Sequence, residues 1–318
     1  MNEDLVETTI IRLDEGEKIP VNLDIFDGMI CLGGPMDTWM EEQYPWMIDE
    51  KNKIKEFVLN NQKPYLGICL GCQFLGEILG GKVIKSNPPE IGVLNINILD
   101  NKKKDQIFGN FDNQIKALQW HSYEVSELNN SDVTILGSSD ITKFQIFKYK
   151  NHAYGIQFHI EVDENTIIKW SKVPELKNAL EKYLGKNSID ELDKLLRNNI
   201  QEMNNNTKKL YENFERASKE QKRREKNSKS ARVAKKLEQL KMTNELIDKI
   251  KSRGPDFSGF SVLEIIERTK SILEVDIPYQ VEQRRVGDVA KIVSSCSCLL
   301  YTSPSPRDLS TSRMPSSA

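Results

Sequence analysis

With 318 residues, a hydrophobic fraction of 38% and a net charge of −2, the chain has room for two ordinary domains but is too polar to be compact throughout. Five cysteines (Cys31, Cys69, Cys72, Cys296, Cys298) are too few and too unevenly placed for a disulfide framework. The sequence shows no signal-peptide pattern, and no apolar run approaches the roughly 18 residues of a membrane span; a cytoplasmic setting without membrane contact is expected.

Residues 8–13 (TTIIRL) form a short β-rich run, followed by the polar turn Asp14-Glu15-Gly16-Glu17. Residues 26–32 (FDGMICL) read as a buried strand ending at Gly33-Gly34-Pro35. Glycines at the carboxyl end of a strand let a backbone loop approach a ligand, although an ordinary strand-to-loop turn has the same look. A helix is predicted over 45–60, with Pro45 at its start and Ile54, Phe57 and Val58 on one face.

Residues 64–75 (PYLGICLGCQFL) organise the rest. An apolar run reaches Gly67, then Cys69, then Gly71, and passes into an apolar helical segment closed by Gly80-Gly81. This G-x-C-x-G pattern is the cysteine counterpart of the nucleophile elbow, in which glycines permit a sharp turn that lifts the nucleophile clear. A thiol at the start of a helix also faces the positive end of its dipole, which favours a thiolate. Short β-like runs follow at 92–98, 115–120, 133–136, 144–149 and 153–158. Strands alternating with helices and then succeeding one another predict a parallel α/β sheet with an antiparallel extension.

The last of these runs, AYGIQF, leads into His159-Ile160-Glu161. Strand residues two apart share a face, so His159 and Glu161 are expected side by side. A thiol nucleophile needs a base that returns a proton to the leaving amine, which His159 can supply, and a carboxylate to fix the imidazole, which Glu161 can supply. An oxyanion hole needs two backbone N–H groups; Leu70, after the nucleophile, and the Gly33-Gly34 turn are the candidates. Cys69-Leu70-Gly71-Cys72 is also a C-x-x-C at a strand-to-helix junction, a redox arrangement. A redox pair needs neither Gly67 nor Gly71 nor a distant His-x-Glu. Zinc would require a second clustered pair, and Cys296-Ser297-Cys298 has the wrong spacing, so no metal is expected. His152 lies in a predicted turn (KNHAY) and is expected to be exposed.

The motifs CLGGPMD (31–37), KPYLGICLGCQFLGEILGGKV (63–83), EIGVLNI (90–96), LQWHSYEV (118–125) and YGIQFHIEVDENTIIKW (154–170) resemble the class I glutamine amidotransferase domain, in its stand-alone, GMP-synthase-like form. The resemblance covers about residues 8–217. It implies a flavodoxin-like, doubly wound, mostly parallel sheet followed by helices, and no cofactor. By this resemblance Cys69, His159 and Glu161 form a catalytic triad, Gly34 and Leu70 the oxyanion hole, and Gln73, His121 and Ser122 the substrate pocket. The implied substrate is glutamine or another γ-glutamyl compound, attacked to give a γ-glutamyl thioester on Cys69. A γ-glutamyl peptide hydrolase would share the triad and differ in leaving group. The family usually has Pro where Ile160 stands and a small residue where Cys72 stands; neither change removes a catalytic group. Members of the family begin with a further strand and helix, roughly 20–25 residues, that this sequence does not carry. Their loss is expected to leave strand edges unpaired and the chain poorly folded, which sharp cooperative melting would contradict.

From 163 to about 217 the pattern is helical, with Leu192, Leu195, Leu196, Leu210, Tyr211 and Phe214 at three-to-four spacing. Residues 218–253 carry thirteen Lys and Arg against five Asp and Glu, a net charge of about +8. Without aromatic residues for base stacking, this reads as a basic helical or disordered connector (218–255) rather than a nucleic-acid site. Residues 259–293 resemble the C-terminal part of UDP-glucose 4-epimerases, with Arg285 and Asp288 in the matching Arg-Arg-x-Gly-Asp motif. A piece of about 35 residues cannot hold a core or cofactor unaided, so no epimerase activity is expected. The end (296–318) looks like translated adapter read-through, and a chimeric sequence is expected, with a genuine fusion as the alternative. The expected organisation is thus an amidotransferase domain over 1–217, the connector, an epimerase-like fragment over 256–295, and the tail. No ATP-pyrophosphatase domain is recognisable, so ammonia is expected to pass to a separate synthetase or to be released. The competing class is a non-catalytic interaction protein built around the basic segment.

Overall fold

The computed structural model describes residues 6–185 and 188–252, together with 279–280 and 293–294. The epimerase-like fragment and the tail therefore lie almost wholly outside the described residues. Two compact units divide at Glu225 and Lys226. In the second, Tyr279–Gln280 and Val293–Ser294 pair antiparallel.

The first unit is built on a seven-stranded mixed sheet: β1 (Met29–Cys31), β2 (Tyr65–Ile68), β3 (Lys82–Ile98), β4 (Gln114–Ser126), β5 (Val133–Ser138), β6 (Ile146–Tyr149) and β7 (Ala153–Ile156). Their spatial order is β1-β2-β7-β6-β5-β3-β4. The first three run parallel, and the others form the antiparallel extension. β2 is buried along its whole length, which is why its sequence is a continuous apolar run rather than an alternating one.

Consecutive residues of β2 serve opposite cores. Tyr65 faces α1 (Trp46–Lys55) and α2 (Leu70–Ile78), packing with Met47, Ile54, Phe74 and Leu75. Leu66 and Ile68 belong to the other core, with Phe158, with Ile167 of α3 (Thr166–Trp170), with Leu180 of α4 (Pro174–Leu184), and with the long helix α5 (Ser188–Ser252). Leu192, Leu196, Met203, Leu210 and Phe214 recur on one stripe of α5, and that stripe is buried. Thr207 Oγ1 donates to Ile160 O at 2.5 Å, and Asn213 Nδ2 to Ile107 O at 2.6 Å, tying α5 to the segment after β7 and to the loop before β4. Further along α5, Gln221 reaches Gln62 O and Lys222 pairs with Asp27, so the compact unit extends past residue 217 to Glu225. The helix itself continues through the basic segment to Ser252.

Three expectations change. The run 8–13 forms no strand: residues 6–12 have no regular structure, and Ile10 is exposed. A β-rich run becomes a strand only beside a partner edge, and 8–13 pairs with no strand among the described residues. The expected strands 92–98 and 115–120 are the middle of two much longer ones. Val83, Ile84 and Lys85 pair with Val125, Glu124 and Tyr123, so β4 runs on through polar residues whose pattern hid it, placing His121 and Ser122 on a strand. His152 is buried, not exposed. Its Nε2 lies 3.0 Å from Val58 O, within the π-helical turn Glu56–Asn60 that closes α1, and its ring packs edge-on against Tyr149. Carbonyls at a helix end lack intrahelical donors, and the turn after β6 delivers an imidazole to one of them.

Candidate active site

The three parallel strands end at one place. β1 leads into Gly33-Gly34, β2 into Cys69, and β7 into Gln157 to His159. This is the carboxyl edge at which α/β sheets form their sites.

Cys69 is the residue before α2 and has φ 53° and ψ −102°, a region that a residue with a side chain enters only at a cost of about 1–3 kcal/mol. The conformation is held at both ends: Cys69 N donates to Ile156 O at 2.8 Å, and Cys69 O accepts from Gln73 N at 3.0 Å. The turn is as tight as the glycine pattern implied. A Cβ on Gly67 would lie 2.3 Å from Gly71 O, and one on Gly71 would lie 2.4 Å from Cys31 O. α2 therefore sits directly on the backbones of β1 and β2, which directs its N-terminal end at Leu70 toward the site.

His159 Nδ1 lies 2.5 Å from Glu161 Oε1, and the other carboxylate oxygen accepts from Ile160 N at 2.9 Å. The two side chains meet, though not as strand neighbours. β7 ends at Ile156, and His159 is fixed instead by an isolated bridge to Leu118 of β4. With Nδ1 occupied, Nε2 is the nitrogen left for Cys69, with which His159 interacts. The imidazole packs edge-on against Trp170, centroids 4.8 Å apart, and against Gly33, where a Cβ would come within 3.1 Å of both His159 Cε1 and Cys69 Cβ. Burial alone would favour neutral His159. The charges of Glu161 and Cys69 and the hydrogen bonds to them outweigh it, and the imidazole is pushed up to about 10. Burial pushes Glu161 up, but His159 and the backbone N–H groups hold it below its usual range.

Gly33 is thus the glycine packed on the thiol and imidazole, while Gly34 packs against Met36 and Leu70. Gln73 is nearly buried on the first turn of α2; its Nε2 donates to Tyr123 O at 3.0 Å and Gln157 Oε1 at 3.3 Å. Gln157 Nε2 in turn lies 3.8 Å from Cys69 Sγ. Ser122 is half-buried on β4, and His121 beside it is buried with its ring directed into the protein. Sequence reasoning passed over Gln157 and Trp170. Gln157 stands two residues before His159, and the same period-two argument that paired His159 with Glu161 would have found it. Cys72 is fully buried against Gly155, within the packing of α2 on β7. Among the described residues no group of His, Cys, Asp and Glu could hold a metal, and no helix is long and apolar enough to cross a membrane.

The family model for glutamine amidotransferase class-I matches residues 2–167, just over half of the chain. The chain belongs to this family. The amidotransferase region is 35% identical over 147 residues to one of the subunits of the glutamine-hydrolyzing GMP synthase of Sulfolobus acidocaldarius, covering 46% of this chain and 73% of that one. It is 30% identical over 155 residues to the "Putative glutamine amidotransferase-like protein YfeJ" of Salmonella typhimurium, covering 47% and 63%. Among solved structures, a glutamine amidotransferase from Thermotoga maritima superposes with a TM-score of 0.56 at 27% identity, covering 64% of this chain and 84% of that one. An enzyme of the amidotransferase kind, with its α/β fold, is therefore established.

One consequence of the His159–Glu161 geometry can be measured in this amidotransferase. Because His159 is raised from its ordinary 6.5 to about 10, it keeps its proton through neutral pH and loses it as the pH climbs toward 10. In Glu161→Gln the attracting charge is gone, and the alkaline limb of kcat/KM is expected to move down by at least about one pH unit. The stability the pair contributes follows the same sign. The His159 part is complete below 6.5 and lost as the pH rises through about 10, whereas the Glu161 part is complete above its ordinary 4.5 and lost on acidification. The melting-temperature gap between wild type and Glu161→Gln should accordingly be widest between those two ordinary values. An unmoved alkaline limb would contradict this reading.

Proposed function

We propose that the chain hydrolyses the γ-carboxamide of glutamine, or a closely related γ-glutamyl amide, through a Cys69-His159-Glu161 triad. The observation that carries the reading is the strained Cys69 elbow set against the buried His159–Glu161 pair, with a glycine backbone on its open side. The Cys69 thiolate attacks the carbonyl carbon, and the oxyanion that forms is met by the N–H of Leu70 and one from the Gly33-Gly34 turn. The C–N bond breaks as His159 delivers its proton to the leaving nitrogen, giving ammonia and a γ-glutamyl thioester. Water then attacks the thioester; His159 takes its proton and the thiolate leaves, releasing glutamate. Glu161 keeps the imidazole in the tautomer and orientation both steps need. The similarity to GMP synthases in which glutamine hydrolysis is named for one of several subunits supports a separate synthetase as the acceptor of the ammonia.

The test is ammonia and glutamate release from L-glutamine and from γ-glutamyl-p-nitroanilide by wild type and Cys69→Ala, with mass spectrometry of the quenched wild-type enzyme. A γ-glutamyl adduct on the peptide containing Cys69 is expected. Equal, negligible turnover in a folded wild type and variant would remove the proposal.

A further inference from the structure

Both ring nitrogens of His121 are engaged inside the protein. Nδ1 lies 3.0 Å from the carbonyl oxygen of Tyr123, and a carbonyl only accepts, so Nδ1 carries a hydrogen. Nε2 lies 3.3 Å from Glu90 Oε2, and both side chains are only 2% exposed. A bare lone pair facing a buried carboxylate would be repelled, so a proton sits between the two. Gln145 Nε2 donates to the same Glu90 oxygen at 2.7 Å. Burial pushes the Glu90 carboxyl up, but hydrogen bonds from His121, Ser139 and Thr142 outweigh burial and hold it below its usual range. The proton therefore belongs to His121, and the pair is an imidazolium on β4 directly opposite a carboxylate on β3.

The other end of this pair leads to the nucleophile. Tyr123 O, which accepts from His121, also accepts from Gln73 Nε2 at 3.0 Å. Gln73 Nε2 additionally donates to Gln157 Oε1, and Gln157 Nε2 approaches Cys69 Sγ. Both hydrogens of the Gln73 amide are thus spent on the protein, and Oε1 is the polar atom left to it.

We infer that Glu90 and His121 are positioning residues, a buried ion pair that fixes the Tyr123 carbonyl and, through it, turns Gln73 so that Oε1 is offered as an acceptor to an N–H-bearing group of the substrate. The inference rests on the γ-glutamyl reading for the identity of that substrate, but not for its geometry. His121 acts from behind the pocket and touches no ligand. A purely structural ion pair would stabilise the sheet without setting Gln73.

Two substitutions of His121 separate these roles. Asn places an N–H near the position of Nδ1 and keeps the bond to Tyr123 O, whereas Gln reaches toward Glu90 and loses it. H121Q is expected to raise KM for L-glutamine and γ-glutamyl-p-nitroanilide about tenfold with kcat altered less than about threefold, and H121N to keep KM within about threefold of wild type. Alkylation of Cys69 by iodoacetamide should proceed at the wild-type rate in both, since the elbow is held by other bonds. KM unchanged in H121Q, or equal effects of the two substitutions, would overturn the inference. A readout without turnover is the nitrogen-15 spectrum of the histidine side chains in the full chain, with His121 assigned by the signals lost in H121N. At about neutral pH both of its nitrogens should be protonated, and Glu90→Gln should convert it to a neutral ring protonated on Nδ1. A neutral His121 in wild type would sink the inference even in an active enzyme. An inactive wild type with the doubly protonated signal would instead remove the γ-glutamyl reading and leave the positioning pair standing.

Discussion

Replacing Cys69 with Ala is expected to lower γ-glutamyl amide hydrolysis by at least about 10⁴-fold, because no other group can form the covalent intermediate. The same position should separate activity from stability. Cys69 holds φ 53° and ψ −102°, a strained conformation that serves the placement of the thiol rather than the fold. Cys69→Gly removes that strain, worth about 1–3 kcal/mol, and gives back about 0.5–1 kcal/mol through the freer unfolded chain. A net gain of about 1 kcal/mol is expected, which for a unit of this size raises the melting temperature by roughly 2–4 °C. Cys69→Ala keeps the strain and should melt close to wild type. Calorimetry alongside the activity assay checks both parts. A Cys69→Gly variant less stable than Cys69→Ala would mean that the elbow is not strained.

The second large effect is expected at Gly67 and Gly71. An added methyl at Gly67 would lie 2.3 Å from Gly71 O and 2.5 Å from Gly71 C, and one at Gly71 would lie 2.4 Å from Cys31 O. These neighbours are backbone atoms of α2 and β1, which no rotamer change can move aside. Each Gly→Ala variant must push α2 off the sheet, and a loss of about 3 kcal/mol is expected, or roughly 6–12 °C in melting temperature. Because the displacement lifts Leu70 and Cys69 together, activity should fall even in the fraction that remains folded. Wild-type melting in Gly71→Ala would show that α2 does not rest on β1 as closely as described.

The elbow was legible because its constraints are local. Gly67 and Gly71 flank Cys69 within five residues, and each glycine is required by a close approach that the motif itself creates. His159 and Glu161 were legible for a different reason, since a direct His–Glu contact needs only two residues of separation. The geometry assumed for them was nevertheless wrong: β7 stops at Ile156, and a bridge to Leu118 does what strand continuity was expected to do. The burial of His152 could not be read because it depends on a carbonyl, Val58 O, 94 residues away along the chain. Nor could the absence of a strand at 8–13, since a strand is a property of an edge and its partner rather than of six residues. His121 shows the same limit most clearly. Its neighbours in sequence placed it in the pocket, whereas Glu90, brought opposite it by the register of β3 on β4, turns its ring inward.

The sequence by itself determined the nucleophile, the imidazole–carboxylate pair and the apolar strand that carries them, because turn sterics and period-two spacing act over a few residues. It also determined the amphipathic stripe by which α5 covers the sheet. The tertiary structure alone decided which glycine backs the thiol, which glutamine reaches it and which way His121 points. Those outcomes depend on three parallel strands ending at a common edge and on the pairing of two long antiparallel ones, contacts between segments that no local pattern encodes.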